Sequence, residues 1–171
     1  MFKNLINAFK TKEVRVKLLL TLLLLLVYRI GCARPIPGLR ADALVSVTDS
    51  NSFLGLLNSI SGGSLSNGAF LALGVSPYIS ASIVIQILEM DIVPYFTELA
   101  KEGYTGRRKL NKITRYCGLF IAFIQGFAYS IAILGTGAEA IEYIKVSVIL
   151  TAGTAFLLWL GDQVTQKGVG N

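Results

Sequence analysis

The sequence has no histidine, only two cysteines and only 15% charged residues, against about 25% charge in ordinary soluble domains. Each shortage removes a class of function. Without histidine, and with Cys32 and Cys117 far apart and no CxxC spacing, a zinc site has no ligand set. Both cysteines lie in or beside apolar runs, so they read as buried thiols acting as small hydrophobes rather than as a disulfide. There is no nucleophile-base pair and no intramembrane Asp pair, so an enzyme is not expected and no cofactor is implied. Nor is there a soluble domain, a low-complexity tract or a short-period repeat.

What fills the space left by charge is hydrocarbon. The chain is 53% hydrophobic with a mean hydropathy of +0.62. Apolar runs at about 18–33, 69–88, 116–134 and 143–160 predict four membrane spans in an all-α, polytopic helical bundle. The first run is slightly short for a core of about 30 Å. Its basic leader has the look of a secretory signal, but Tyr28, Arg29 and Pro35 interrupt any small-residue cleavage site, so it reads as a retained span. Arg29 is placed to snorkel to the headgroups, and Pro35, Pro37 and Gly38 stop the helix.

Three segments are unusual. Phe53, Leu56, Leu57 and Ile60 recur at helical spacing, with N-cap candidates at 49–52 and a Gly62-Gly63 stop. A helix over about 53–61 is roughly 15 Å long, half a bilayer. It lies in the interface, re-enters the membrane or folds into a protein cavity; an amphipathic surface helix fits the pattern equally well. The second run is polar for a span, with Ser76, Pro77, Tyr78, Ser80, Ser82 and Gln86 inside it. Such residues face other helices or water, and Pro77 frees a backbone carbonyl that needs a partner. Val75, Ile79, Ile83 and Gln86 share one face, which on the residues alone favours helix packing over a pore lining. The third is the charged loop 89–115, with Lys101, Arg107, Arg108, Lys109, Lys112 and Arg115. Gly103 and Gly106 predict a turn that holds the cluster in water. A large anionic partner and a purely topogenic role fit it equally.

Sidedness follows from Lys and Arg. The N-terminus carries Lys3, Lys10, Lys12, Arg15 and Lys17 against Glu13, and the 89–115 loop carries six basic residues. The alternate loops carry Arg29, Arg34 and Arg40, and Lys145. The positive-inside rule then predicts a cytoplasmic N-terminus, the half-length helix outside and the basic loop inside. This accounts for the net charge of +6 through anionic lipids, each basic residue contributing about 1 kcal/mol.

At several places the motifs are more specific. Tyr28-Arg-Ile-Gly31 with Pro35-Ile-Pro-Gly38, Ser61-Gly-Gly-Ser-Leu65, Ala72-Leu-Gly-Val-Ser-Pro-Tyr-Ile-Ser-Ala-Ser-Ile83, Lys101-Glu-Gly-Tyr-Thr-Gly-Arg-Arg-Lys109 and the tail 158–171 resemble, in order, the N-terminal part of the SecY family of protein-conducting channels. The resemblance covers nearly the whole chain. It implies a channel that passes unfolded secretory proteins across the bacterial plasma membrane and releases membrane proteins into it. Its implied partners are SecE and SecG subunits, the SecA motor, the ribosome, signal peptides and nascent polypeptides. By the same resemblance, Val75 and Ile79 match positions of an apolar pore ring, with Val75 smaller than the isoleucine often found there. Phe53, Leu56, Leu57 and Ile60 match a plug; Ile83, Gln86 and Gln125 match a lateral gate; Arg107, Arg108 and Lys109 match a loop that docks the ribosome or motor. Family members have about ten spans in two inverted halves, so four spans imply an incomplete N-terminal half that cannot alone enclose a pore. A fragment or truncated product is expected before a split chain that works with its missing C-terminal half. The rival readings are a membrane-anchored interaction module without transport, and a small-solute transporter, which predicts a mid-span charge that the sequence lacks.

Overall fold

The computed structural model describes residues 11–37, 55–56, 58–59, 62–90, 92–135 and 137–169. Among them five helices form the architecture: α1 (Lys12–Cys32), α2 (Ser76–Glu89), α3 (Pro94–Lys101), α4 (Tyr104–Leu134) and α5 (Ala140–Lys167). The largest helix contact is α4 with α5, followed by α2 on α4, while α1 lies along α5.

The pattern of α4 explains why three elements pack on it. Its buried residues are Gly106, Leu110, Thr114, Gly118, Ala122, Gly126 and Ser130, a stripe with a strict spacing of four. At 3.6 residues per turn such a stripe drifts by about 40° per step, so it winds around the helix instead of running along one side. Its three glycines meet three different neighbours. A Cβ at Gly106 would lie 1.7 Å from the Leu99 carbonyl oxygen of α3, one at Gly118 3.2 Å from Tyr78 Cα of α2, and one at Gly126 3.3 Å from the Ser147 carbonyl oxygen of α5. Small residues let backbones approach where hydrocarbon gives no hydrophobic drive to association. On α5, Val146, Leu150, Gly153, Leu157 and Leu160 alternate by four and three, a seam that stays on one face. Ser147 donates to the Phe123 carbonyl at 2.9 Å, and Arg115 Nη2 to Asp162 Oδ1 at 2.6 Å. These contacts make α4 and α5 antiparallel. Thr21 accepts a bond from the backbone N–H of Val169 at 3.0 Å, so α1 runs antiparallel to α5.

Residues 62–75 form turns threaded between α1, α4 and α5. Ser64, Leu65, Ala69, Leu71 and Ala72 are buried. Leu65 and Ala72 join Ile36, Val146 and Leu150 in one cluster, and Leu71 joins Cys32 and Leu157 in another. The buried backbone is satisfied within the protein: Ile36 N–H donates to Gly68 at 2.9 Å and Ala69 N–H to Ser64 at 3.0 Å. Non-helical backbone is tolerated at membrane depth only under such cover. Cys32 and Cys117 are both free.

Two sequence expectations need correction. The second run is not a helix over 69–88: α2 has 14 residues from Ser76, roughly 21 Å. Proline sits at its first turn, where the missing N–H costs nothing. The carbonyl that Pro77 leaves free, that of Leu73, accepts a bond from Ser76 Oγ at 2.9 Å. Ala69, Leu71 and Ala72 are apolar because neighbouring elements bury them, not because they are helical. The 89–115 segment is also not a loop. α3 occupies Pro94–Lys101 and α4 starts at Tyr104, so the basic cluster is helical. Gly103 turns the chain at φ +74°, but Gly106 is a packing glycine inside α4.

Among the described residues two helices are long and apolar enough to cross a membrane, α4 and α5; α2 and α3 together make a pair bent by 92°. α1 has 21 residues, with Lys12, Glu13, Arg15 and Lys17 at one end and Arg29 near the other. Replacing Gly153, whose Cβ would lie 1.9 Å from the Phe70 carbonyl oxygen, forces the backbone to move, whereas Gly161 has nothing within 4 Å. Gly153→Ala is expected to destabilise the chain by about 1–3 kcal/mol, whereas Gly161→Ala, in open space inside α5, should be neutral or stabilise it by up to about 1 kcal/mol. Thermal unfolding in detergent checks this, and equal midpoints for the two variants would refute the close approach.

Candidate functional site

The outward face of α2 begins with a division of labour around the helix. Pro77, Ala81 and Ile85 are its buried residues, with Ile85 in a cluster with Leu99 and Leu110. At about 100° per residue, Val75, Ile79, Ile83 and Gln86 fall on a separate face. Val75 is 44% exposed, Ile79 51% and Ile83 52%, and Gln86 is exposed as well. The four residues that share a face in the sequence therefore share a surface that none of the described residues covers. The packing role that their spacing alone favoured belongs to the opposite face.

The two flanks of the α2–α4 seam differ in chemistry. On one, Ser82, Gln86, Glu89, Arg107, Asn111 and Thr114 line a polar cleft of about 370 Å³. On the other, Ala81, Val84, Leu88, Phe96, Cys117 and Phe120 line an apolar groove of about 490 Å³. The helix wheel places the Ile79–Gln86 face beside the polar flank. Hydroxyls on α2 are spent on its own polar groups: Ser80 Oγ donates to the Ser76 carbonyl at 3.2 Å, and Gln86 Nε2 donates to Ser82 Oγ at 3.1 Å. Gln125 is half-buried on α4. It lies 14 residues beyond Asn111, roughly 21 Å along the axis, so the structure does not bring it to Gln86.

Leu56 is 65% exposed, while Phe53, Leu57 and Ile60 lie outside the described residues. The Gly62-Gly63 stop is present as a complete helix-ending motif. Gly62 N–H donates to Ser59 and Gly63 N–H to Asn58, with Gly62 at φ +66°, the paired bonds of a left-handed glycine cap. Arg29 does not simply extend to the headgroups: its Nη1 donates to the Gly62 carbonyl at 3.0 Å. The sequence offered no signal for that pairing, nor for Arg115 with Asp162.

Arg107, Arg108 and Lys109 are exposed near the start of α4. Lys109 pairs with Glu102 at 3.4 Å; Arg107 and Arg108 have no ion pair among the described residues. Cations at a helix N-terminus oppose its dipole, so their placement contributes nothing to the helix. Among the described residues no three His, Cys, Asp or Glu side chains converge as metal ligands. The site is thus a set of surfaces: an aliphatic strip beside a polar cleft, a glycine turn at Gly62 and Gly63, and a basic helix start.

These features define an all-helical protein with two helices long and apolar enough to cross a membrane among the described residues. The family model that matches residues 69–171 is SecY. The chain is similar to the protein translocase subunit SecY of Staphylococcus carnosus, with 48% identity over 178 aligned residues, all of this chain and 41% of the relative. The translocase subunits of Staphylococcus epidermidis and Staphylococcus aureus match at the same identity and coverage. The chain belongs to the SecY family, and it spans about two fifths of the length of these relatives.

The division of α2 into two faces is tested by single cysteines in a Cys32→Ala, Cys117→Ala background. In detergent, Ile79→Cys and Ile83→Cys should react with a maleimide roughly tenfold faster than Ala81→Cys and Ile85→Cys, whose labelling requires local opening. Equal rates would remove the exposed strip.

Proposed function

We propose that this chain is the N-terminal part of a protein-conducting channel subunit, which passes unfolded secretory proteins across a bacterial plasma membrane and membrane proteins into it. The observation that carries this reading is the uncovered strip of Val75, Ile79 and Ile83 beside a polar cleft. An aliphatic strip against water is costly for one chain alone, and it makes sense as one arc of a ring. A ring of aliphatic side chains closes to water and ions by dewetting, yet slides over a passing polypeptide without binding it. The remaining arc and the opposite wall of the lateral gate come from the C-terminal half of the protein. Ile83, Gln86 and Gln125 edge that gate, and the separation of Gln125 from Gln86 makes the edge long, extending over much of α4.

In this reading the four spans are α1, α2 with the turns before it, the apolar part of α4, and α5. The antiparallel contacts bring Lys12, Glu89, Tyr104 and Lys167 to one end of the bundle, the end that carries most basic residues, and we assign it to the cytoplasm. The half-helix then lies on the far side, where Phe53, Leu56, Leu57 and Ile60 plug the outer vestibule. Arg107, Arg108 and Lys109 face a ribosome or the SecA motor, whose phosphates or carboxylates suit unpaired guanidinium groups. SecE and SecG complete the assembly, and anionic lipids neutralise the remaining basic residues.

A second reading draws on the same unpaired arginines. The chain would be a membrane-anchored module that binds such an anionic partner and transports nothing. A photo-crosslinker at Ile79, presented to a stalled secretory nascent chain, separates the two. A crosslink that forms only when the C-terminal half is co-expressed supports the channel. Absence of a crosslink in both cases, with both proteins inserted, sinks the ring assignment and leaves the module.

A further inference from the structure

We propose that Glu89 is a specificity-determining residue, which holds the basic leader of an incoming secretory chain at the foot of the aliphatic strip. This rests on the channel reading and names what one end of the same surface selects. Two sources of negative potential coincide there. Glu89 is the last residue of α2, and the carbonyl end of that helix favours a cation through its dipole. The last turn of α2 holds no basic residue to answer it. Glu89 is half-buried and has no ion pair among the described residues. Its backbone carbonyl accepts from Thr97 Oγ1 at 3.3 Å, while its side chain lines the polar cleft.

The cleft sorts charge across its width. Arg107, on the α4 wall, is the one other charged side chain among the described residues that line it, and it too has no ion pair among them. An acid on one wall and a guanidinium on the other set up a field that drives a cation towards α2. A cationic side chain there would meet Arg107 only as an exposed, screened charge. An anion would meet the half-buried Glu89, whose field is screened less. The Gln86 and Asn111 amides add acceptor oxygens for a cation. The strip then fixes what must follow that cation. Ile83 lies roughly 9 Å from Glu89 along α2 and Val75 roughly 21 Å. A secretory signal carries its basic leader directly before an apolar stretch of about 7–15 residues, roughly 10–22 Å long as a helix. An acid followed by an aliphatic strip on α2 complements a base followed by an apolar stretch, in chemistry and in length.

The test uses the full-length protein with its C-terminal half and partner subunits, in cells. Export is measured for one secretory preprotein in three forms, with lysines, glutamates or glutamines in its leader. Glu89→Lys should lower export of the lysine form roughly tenfold and raise that of the glutamate form roughly threefold, with Glu89→Gln between wild type and Glu89→Lys. The glutamine form should change by less than about twofold. A folding defect lowers all three forms together, so opposite responses are not a folding artefact. The crossing of the two charge changes measures the coupling between leader and channel. Glu98→Lys makes the same charge change on an exposed residue of α3 outside the cleft, and should leave the ratio of lysine form to glutamate form as in wild type. Parallel responses of the three forms to Glu89→Lys overturn the proposal, as does an equal crossing with Glu98→Lys. If depleting the wild-type protein leaves export of the lysine form unchanged, the channel reading itself fails, and this inference falls with it.

Discussion

A stretch of backbone that is neither helix nor strand, residues 62–75, buries Ser64, Leu65, Ala69, Leu71 and Ala72 among helices, and most of the structure follows from having to satisfy it. An unpaired peptide group in hydrocarbon costs several kcal/mol. Ile36 past the end of α1 supplies a donor to Gly68. Tyr129 of α4 supplies one to Leu65, and Ser76 stands in for the donor that Pro77 lacks. Gly153 of α5 gives up its side chain so that the Phe70 carbonyl can come close. α1, α4 and α5 are therefore held at fixed distances by a segment that is none of them. That segment also leads into α2, so the element that carries the aliphatic strip hangs from backbone tied to α1 and α4.

The close helix contacts carry the same logic to α4. Its stripe of small residues winds about the axis, and each glycine admits a different neighbour. One long helix thereby organises α3, α2 and α5 without a large apolar core. What remains uncovered is correspondingly apolar: Leu22, Leu23, Leu25 and Leu26 of α1 are all more than half exposed. In a membrane this carries no cost where the residues meet lipid. It does carry one where they meet water, and for that reason the strip on α2 beside the polar cleft is informative while the leucines of α1 are not.

Much of this was legible in the sequence, and the limits have physical causes. The all-α class, the end of the third run at Leu134 and the glycine stop at Gly62 follow from hydropathy and local turn chemistry. The shared face of Val75, Ile79, Ile83 and Gln86 follows from the helical period, but the period does not say what a face meets, and the packing partner turned out to be the opposite one. The run 69–88 misled because burial by neighbours and burial within a helix leave the same apolar signature. The 89–115 segment misled for the converse reason. Lys, Arg and Leu are good helix formers, and a helix that leaves the hydrocarbon has no cause to end where hydropathy does. Pairings across 33 or 47 residues, Arg29 with Gly62 and Arg115 with Asp162, had no local signal at all.

Several residues sit where local rules disfavour them, and they sit together. Glu89 is the last residue of α2, a helix with no basic residue in its final turn, where an acid meets the negative end of the dipole. Arg107 and Arg108 stand near the positive end of α4 without an ion pair among the described residues. Both helix ends open on one cleft with Gln86 and Asn111, next to an uncovered aliphatic strip. Other helix ends match the dipole: Glu142 lies in the first turn of α5 and Lys167 in its last, and Arg29 lies in the last turn of α1. Proteins break such rules where function demands it and compensate in the surrounding scaffold. Three of these placements meet at the α2–α4 seam, the edge that the channel reading turns towards the polypeptide path.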